Sequence, residues 1–383
     1  MTILLEHGHL IVDGNREYLD GALLIEDETI KEVFPQALKV HDLPEECKII
    51  DLKGSLVMPG FFDTHTHGMA GVSFDNGDKE GLDKIAYGFG KDGTTSFLAS
   101  LSYDLDENGL ERQLKILNEY NSPCARYEGV HLEGPFLSEK HLGMGDPKRF
   151  MKPDLSLMQR LFASCDRIKQ VTIAMELEGA EDVAHFLHEK GAKVMCGHSD
   201  AVYEDLGENV DGFTHLFNAM RSLHHRDRTL VNCAFMNRWK VELIADGNHV
   251  NRDVLKLCVN NIDRDLIMLV SDSSIARGLP DGEYEFLSKP CTKKGTTFIS
   301  HDGHFAGSVV SINDEMKVLY ELGVKYCDLL LYSSLNAFRF YGLDKRFGTL
   351  EKGKYADLVI MDDDLNIKDV YIGGRSLDDG ILS

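Results

Sequence analysis

The stretch Leu56-Val-Met-Pro-Gly-Phe-Phe-Asp-Thr-His65-Thr-His67-Gly68 reads as an apolar strand that ends in two histidines. Successive side chains of a strand point to opposite faces, so His65 and His67 project to the same side and could bind one metal ion. The spacing alone is weak evidence, because chance placement of 16 histidines in 383 residues gives about 0.7 such pairs. A second pair, His7-Gly-His9, lies in a short N-terminal strand with no acidic or histidine pattern nearby. The meaning of the first pair therefore depends on the remaining sequence.

From this stretch onward, short apolar runs alternate with amphipathic segments in which apolar residues recur every three or four positions, as Val183, Phe186 and Leu187 do. Such alternation is typical of βα units and a parallel sheet, and eight units predict an α/β fold of the (β/α)8, TIM-like barrel type. Predicted helices between the strands include residues 110–120, 155–168, 180–190 and 254–261. The eight predicted strands are Leu56–Phe62, Thr95–Leu101, Tyr127–Leu132, Gln170–Met175, Lys193–Cys196, Gly212–His215, Val241–Ala245 and Ile267–Val270.

Both ends of the chain show β patterns instead. We therefore predict a small β-sandwich domain built from residues 1–57 and 343–383, and a barrel domain at residues 58–342. After the eighth strand, Gly278 to Gly307 predicts a long loop with a hairpin, and residues 313–322 and 328–341 predict two further helices.

The composition argues against several classes of partner. The chain has 63 acidic and 41 basic residues, and its formal charge of −22 disfavours nucleic acid and anionic membranes as general partners. The eight cysteines are scattered, which is typical of reduced, intracellular thiols. No apolar run has the length of a membrane span and the N-terminus does not resemble a signal peptide, so we expect a cytoplasmic protein.

Metal-binding residue types follow five of the eight predicted strands. In barrel enzymes the chemistry takes place at the carboxyl ends of the strands, and imidazole and carboxylate ligands converging there suit zinc or a similar divalent ion. Each residue alone is more often structural, as a hydrogen-bonded histidine or an acidic helix cap, but their shared position at strand ends favours a metal site. The residues are His65 and His67 after the first strand, Glu133 after the third, His198 after the fifth, His215 after the sixth and Asp272 after the eighth.

The motifs around these residues resemble the amidohydrolase superfamily and, within it, the N-acetylglucosamine-6-phosphate deacetylase family. Many superfamily members bridge two metals with a carboxylated lysine on strand four, but Ala174-Met-Glu-Leu-Glu178 has no lysine. The resemblance then makes Glu133 the bridging ligand. The motifs are Pro59-Gly-Phe-Phe-Asp-Thr-His-Thr-His67, Val130-His-Leu-Glu-Gly-Pro135, Gly197-His-Ser199, Thr214-His-Leu-Phe-Asn-Ala-Met220, Ala245-Asp-Gly-Asn-His249, Ser271-Asp272 and Gly278-Leu-Pro-Asp-Gly282.

The resemblance implies a metal-dependent deacetylase that hydrolyses the acetamide of N-acetylglucosamine 6-phosphate. Glu133, His198 and His215 would hold one divalent ion, most simply zinc, with iron, manganese or cobalt as alternatives. The pair His65 and His67 would allow a second ion.

Further residues receive roles from the same resemblance. Asp272 would be the catalytic acid and base, and His249 would stabilise the oxyanion or contact the substrate. Asn218 and Ala219 would meet the phosphorylated sugar, and Arg226 would bind its phosphate. The family also implies a homodimer.

Two departures from the family leave the substrate open. Gly145 stands where relatives place a substrate-contacting histidine, and Asn248 stands at a position that is more often apolar. An amidohydrolase acting on another substrate, such as N-acetylgalactosamine 6-phosphate, is therefore an alternative. A barrel protein that binds without catalysis is another, although the intact set of metal ligands counts against it.

Overall fold

The computed structural model describes residues 1–36 and 47–378. The N-terminal part forms five strands of one sheet, of which the first strand is long and bent. It pairs antiparallel with the second strand and parallel with the fourth and the fifth. Its pairing with the second strand has register shifts on either side of Gly8. The strands are β1 Thr2–Ile11, β2 Glu17–Glu26, β3 Thr29–Phe34, β4 Cys47–Asp51 and β5 Leu56–Pro59.

The pair His7-Gly-His9 is explained by pairing between β1 and β2. His7 Nδ1 lies 2.9 Å from Asp20 Oδ1, and His9 Nε2 lies 2.8 Å from Glu17 Oε2. The two histidines therefore bind different carboxylates of the neighbouring strand, and they share no ligand site.

Eight parallel strands form the predicted barrel, in the order of the sequence. Strands of such a barrel are covered on both faces, which explains their continuous apolar runs. A short hairpin of β7 Gly68–Met69 and β8 Val72–Ser73 follows the first barrel strand. The barrel strands are β6 Phe61–Asp63, β9 Thr94–Leu101, β10 Arg126–Glu133, β11 Ile168–Ile173, β12 Lys193–Cys196, β13 Gly212–Phe213, β14 Lys240–Leu243 and β15 Ile267–Leu269.

The helices pack apolar faces against this barrel and begin at polar caps. Asp78, Asp106 and Asp154 each accept a hydrogen bond from a backbone amide in the first turn of the helix that follows. Several helices begin a few residues earlier than predicted, as α2 does at Glu107 and α6 at Arg252. Their first turns are polar, so the spacing of apolar residues did not include them. The helices are α1 Lys79–Lys91, α2 Glu107–Glu119, α3 Leu155–Ser164, α4 Ala180–Glu189, α5 Leu230–Ala234, α6 Arg252–Asn261, α7 Ile312–Glu321, α8 Tyr326–Leu330 and α9 Asn336–Phe340.

The segment predicted as a long loop with a hairpin is a three-stranded antiparallel sheet. Its strands are β16 Gly282–Phe286, β17 Lys289–Lys294 and β18 Thr297–Ser300. Phe286 and Phe298 pack together in its own small apolar cluster. This sheet stands beside the carboxyl ends of the barrel strands, where it adds a wall to the cavity described below.

The C-terminal strands return to the sheet of the N-terminus. β19 Leu358–Met361 pairs with β5 and with β20 Ile367–Ile372, and β21 Arg375–Ser376 follows. The strand order is β21-β20-β19-β5-β1-β2-β3, with β4 beside β1. The predicted fold class, a (β/α)8 barrel with a separate sheet domain from both chain ends, is confirmed; the domain boundaries remain a prediction.

The first predicted strand, Leu56–Phe62, is divided between the two sheets, so that part of the prediction was wrong. Leu56–Pro59 pairs in the terminal sheet, and Phe61–Asp63 opens the barrel. Gly60 lies at the crossing, where a Cβ atom would be 2.1 Å from Thr95 Oγ1. A residue without a side chain is therefore required where the chain passes from one sheet to the other.

Within residues 1–36 and 47–378, no helix combines the length and apolar character that a bilayer crossing requires.

Candidate active site

The barrel closes at its mouth through the backbone that follows the first and eighth strands. The amide of Asp272 donates to the carbonyl oxygen of His65 at 2.8 Å, and the amide of His67 donates to that of Ser273 at 2.8 Å. These bonds set the two segments side by side at the carboxyl ends of the strands. The histidine pair and Asp272, which are far apart in sequence, therefore meet at one place.

Glu133 lies at the centre of the buried ligand set. Its Oε1 is 3.0 Å from His215 Nε2 and 3.1 Å from His198 Nε2, and its Oε2 is 3.3 Å from His67 Nε2. Two atoms that each lie about 2.1 Å from one tetrahedral zinc ion are roughly 3.4 Å apart. The spacing and the chemistry of these donors therefore fit a divalent ion.

Two overlapping groups of ligand atoms could each hold an ion. The first contains His65, Glu133 and His215, the second contains His65, His67 and Asp272, and the atoms of each group lie within 4.8 Å of one another. His67 Nε2 is 3.4 Å from Asp272 Oδ1 and His65 Nε2 is 3.2 Å from His67 Nε2. The structure thus brings together all six residues that the sequence predicted at the strand ends.

The charges at this mouth keep both carboxylates ionised. Burial would raise the pKa of Glu133, but the charge and hydrogen bond of His198 and the hydrogen bonds of His215 and His67 lower its pKa well below the ordinary value. Burial likewise would raise the pKa of Asp272, and the nearby His65 and His67 lower it. Both residues are therefore available as anionic ligands or proton acceptors.

Partners outside the ligand set fix the orientation of the histidines. His198 Nδ1 lies 2.9 Å from the carbonyl oxygen of His141, which only accepts hydrogen bonds, so Nδ1 carries the proton and Nε2 faces Glu133. His65 Nδ1 lies 3.2 Å from Glu242 Oε2. Glu242 was not predicted from the sequence. The signal that could have found it is an acidic residue within the predicted strand Val241–Ala245, whose other residues are all apolar, because a barrel strand is buried on both faces.

A cavity of about 840 Å³, counting space open to solvent, extends from the ligand set. Three of the predicted substrate residues, Asn218, Ala219 and His249, line it. Ten further lining residues were not predicted: two follow β9, two follow β10, two lie at the turn between β16 and β17, and four follow β18. They are Ser102, Tyr103, Gly143, Met144, Phe286, Leu287, Gly303, His304, Phe305 and Gly307.

His249 is held with one ring nitrogen turned to a carboxylate. Its Nδ1 lies 2.8 Å from Asp246 Oδ2, and Asp246 Oδ1 accepts the backbone amides of Asn248 and His249, both at 2.8 Å. The ring of Phe305 lies 4.4 Å from the imidazole. His249 Nε2 is buried and has no partner among the described residues. This nitrogen is thus free to meet a ligand in the cavity.

Arg226 lies outside this cavity. It is exposed and is absent from the described residues that line the cavity. Its backbone amide is 3.4 Å from His224 Nδ1 in the loop that follows Asn218 and Ala219. Its role in phosphate binding stays a prediction.

The two departures from the family are accommodated locally. A Cβ atom at Gly145 would lie 2.8 Å from the ring of Phe150, so this position has no room for a side chain, and Gly143 and Met144 line the cavity instead. The Asn248 side chain donates to Thr296 Oγ1 at 3.1 Å and points to the turn between β17 and β18. It therefore braces the hairpin.

The fold and the ligand set define a class, namely barrel proteins with a divalent-metal site of histidines and carboxylates at the mouth. Residues 144–377 match the model of the amidohydrolase family. The chain belongs to the amidohydrolase family.

Individual relatives match over nearly the whole chain. It is 31% identical to N-acetylglucosamine-6-phosphate deacetylase of Bacillus subtilis, over 93% of this chain and 92% of the relative. It is 29% identical to N-acetylgalactosamine-6-phosphate deacetylase of Escherichia coli O157:H7, over 93% and 94%. The crystal structure of N-acetylglucosamine-6-phosphate deacetylase from Thermotoga maritima superposes with a TM-score of 0.85 at 28% identity, over 98% of this chain and 99% of that one.

Proposed function

We propose that this protein hydrolyses the acetamide of N-acetylglucosamine 6-phosphate to glucosamine 6-phosphate and acetate. One observation carries the proposal: Asp272 stands beside the buried ligand set, with its Oδ1 3.4 Å from His67 Nε2, in a cavity that is also lined by Asn218, Ala219 and His249. The names of the relatives support the same substrate class.

A divalent ion would be held by Glu133, His198 and His215, with room for a second at His65 and His67. Zinc suits these nitrogen and oxygen donors, and iron, manganese and cobalt are alternatives. When bound, such an ion polarises a carbonyl group and makes a water molecule acidic enough to act as a nucleophile near neutral pH.

Asp272 would move the proton during the reaction. Its ionised carboxylate accepts a proton from water as the water oxygen attacks the acetyl carbon. It then gives that proton to the sugar nitrogen as the carbon–nitrogen bond breaks, which releases acetate and the free amine. The same residue thus acts as base and then as acid.

His249 would donate a hydrogen bond to the oxygen on which negative charge develops. Because an ionised carboxylate accepts only, Asp246 requires a proton on His249 Nδ1. His249 Nε2 can then donate only when the ring is protonated at both nitrogens. His249 would therefore act as a cation, with Asp246 opposite to balance its charge.

The phosphate would be bound near Asn218 and Ala219, with Arg226 as the charged partner. Arg226 is exposed on its loop. In a homodimer, the arginine of one subunit could therefore reach the phosphate bound in the other subunit. A cytoplasmic location is in keeping with eight cysteines that are all free thiols.

N-acetylgalactosamine 6-phosphate is the second candidate substrate. The relative from Escherichia coli O157:H7 carries that name, and Gly145 stands where the deacetylase family places a substrate-contacting histidine.

A substrate panel tests the proposal. Zinc-loaded protein would be assayed for released acetate and amine with N-acetylglucosamine 6-phosphate, N-acetylgalactosamine 6-phosphate and unphosphorylated N-acetylglucosamine. We expect the highest kcat/KM for the first compound and a large loss without the phosphate. Faster turnover of the galactosamine compound would favour the second candidate. Absence of products with every compound, in protein that also binds no metal, would indicate a non-catalytic barrel protein.

A further inference from the structure

We propose that Glu242 is a positioning residue that holds His65 ready for a second metal ion and so decides whether the chain takes one ion or two. The inference rests on the metal site of the proposed function, but it does not depend on the identity of the substrate.

Glu242 is a carboxylate enclosed in the barrel. It lies on β14, and it is fully buried. Burying a carboxylate is unfavourable unless hydrogen bonds compensate for the lost water. Its Oε1 accepts from Gln170 Nε2 at 2.8 Å, and its Oε2 faces His65 Nδ1 at 3.2 Å and the backbone amide of His215 at 3.4 Å. These partners include no lysine or arginine, so His65 is the one ionisable partner of this carboxylate among the described contacts.

The partners of Glu242 define which nitrogen of His65 is free. An ionised carboxylate accepts hydrogen bonds only, so His65 Nδ1 must carry the proton. His65 Nε2 is then the nitrogen whose lone pair is left for a metal ion. That nitrogen lies 3.2 Å from His67 Nε2 and 3.6 Å from Asp272 Oδ1. Glu242 thus points the lone pair of His65 at the second candidate metal position.

Glu242 is itself held in place by Gln170 and Tyr341. The hydroxyl of Tyr341 donates to Gln170 Oε1, which turns the amide nitrogen of Gln170 towards Glu242. Tyr341 follows α9, after the barrel strands have ended. A chain of three side chains therefore connects the helix after the barrel to a metal ligand at its mouth.

His65 belongs to both groups of ligand atoms, but the first ion would also be held by His198 and His215, whose rings have no described contact with Glu242. The effect of Glu242 should therefore be larger on the second ion. The side chain of His215 is fixed separately, by its Nε2 at 3.0 Å from Glu133, and that of His198 by Glu133 and the carbonyl oxygen of His141. Loss of the Glu242 charge therefore frees the ring of His65 and leaves these two histidines in place.

Metal binding by Glu242→Gln tests the proposal. Metal-free protein would be dialysed against rising zinc, and the bound ions would be counted by elemental analysis, with affinities from competition with a chelator. We expect two ions in the wild type. In Glu242→Gln we expect the affinity of the weaker ion to fall about 10- to 100-fold, with a smaller loss for the tighter ion.

Glu315→Gln is the matched control. Glu315 is also fully buried, and its Oε1 accepts the amide of Ala245 at 3.1 Å, but it has no hydrogen bond or ion pair to His65 or His67 among the described contacts. Its zinc binding should equal that of the wild type. If Glu242→Gln does not fold, Tyr341→Phe replaces it, because that variant removes only one hydroxyl, and we expect it to weaken the second ion several-fold.

Two outcomes would overturn the proposal. One is a wild-type protein that binds a single ion at saturation, and the other is a variant that binds two ions with wild-type affinity. Acetate release by the wild type is measured separately. Failure of that assay would count against the proposed function without changing the ion count.

Discussion

Three residues at the metal mouth have a left-handed backbone. His198 and Asp272 have φ of 45°, and His215 has φ of 28°. Each such non-glycine residue costs on the order of 1 kcal/mol, and this strain is kept only where the surroundings determine it. Each of the three comes after the last residue of its barrel strand, so the backbone leaves the alternation of the strand and aims the side chain into the mouth. The strain is thus part of how the site is built.

Asp272→Asn should separate catalysis from folding. The amide has the same shape but cannot accept a proton from water, so we expect turnover to fall on the order of a hundredfold or more. Thermal unfolding and binding of the ion at Glu133, His198 and His215 should stay close to those of the wild type. Turnover near the wild-type value would contradict the role of Asp272 as acid and base.

Asp246→Asn should act through His249. An asparagine can donate to His249 Nδ1, so a neutral ring would carry its proton on Nε2 and the charge of the donor would be lost. We expect kcat to fall about 10- to 100-fold with little change in KM. His249→Gln is the comparison variant, and the double variant should lose little more than His249→Gln alone. Additive losses would show that Asp246 does not act through His249.

At the scale of elements, the loops after three barrel strands are joined at Asp200. Arg221 Nε and Lys140 Nζ each lie 2.7 Å from this carboxylate, and His141 Nε2 lies 3.1 Å from it. The carbonyl oxygen of His141 also accepts the hydrogen bond of the metal ligand His198. The loops after β10, β12 and β13 therefore support the ligand set as one unit.

This junction predicts a pH dependence of stability. The hydrogen bond of Arg221, followed by those of Lys140 and His141, lowers the pKa of Asp200 from its ordinary value of 3.8, against the effect of burial. A carboxyl with a lowered pKa in the folded state contributes stability that is fully present above pH 3.8 and is lost as the pH falls through the folded pKa.

Asp200→Asn checks that dependence. The variant should have a lower free energy of unfolding in urea than the wild type at pH 7, and the difference should shrink as the pH falls below 3.8. Arg221→Gln should show the same trend, because it removes the main partner. A difference that stays constant with pH would rule out the charge of Asp200 as its source.

At the scale of the whole molecule, metal removal should loosen the mouth of the barrel. A ligand that binds only the folded state at 100 times its Kd stabilises it by about 2.7 kcal/mol. Treatment with a chelator should therefore lower Tm and abolish acetate release, and added zinc should restore both. Circular dichroism serves as the control for a retained barrel. An unchanged Tm together with full activity after verified metal removal would exclude a required ion.

The sequence predicted the barrel because short apolar runs alternate eight times with segments whose apolar residues recur at helical spacing. The crossing at Gly60 was missed because Leu56–Phe62 is continuously apolar, and hydrophobicity cannot show that a chain changes sheets. The ligand set was accessible because histidines and acids ended the strands. Glu242 and Tyr103 were missed for another reason, since their importance comes from partners distant in sequence, namely His65 for Glu242 and His198 for Tyr103.

The pairing of β5 with β19 has a consequence for how the protein is made. Leu56–Pro59 leads through Gly60 to the histidine pair, but its neighbour Leu358–Met361 emerges from the ribosome about 300 residues later. Until then the edge of β5 lacks that neighbour, and the segment that carries His65 is attached to an incomplete sheet. A chain cut short before residue 358 therefore retains every metal ligand in its sequence and still lacks a strand that supports them. The metal site is therefore fully supported only after the strand Leu358–Met361 has been synthesised and has paired with β5.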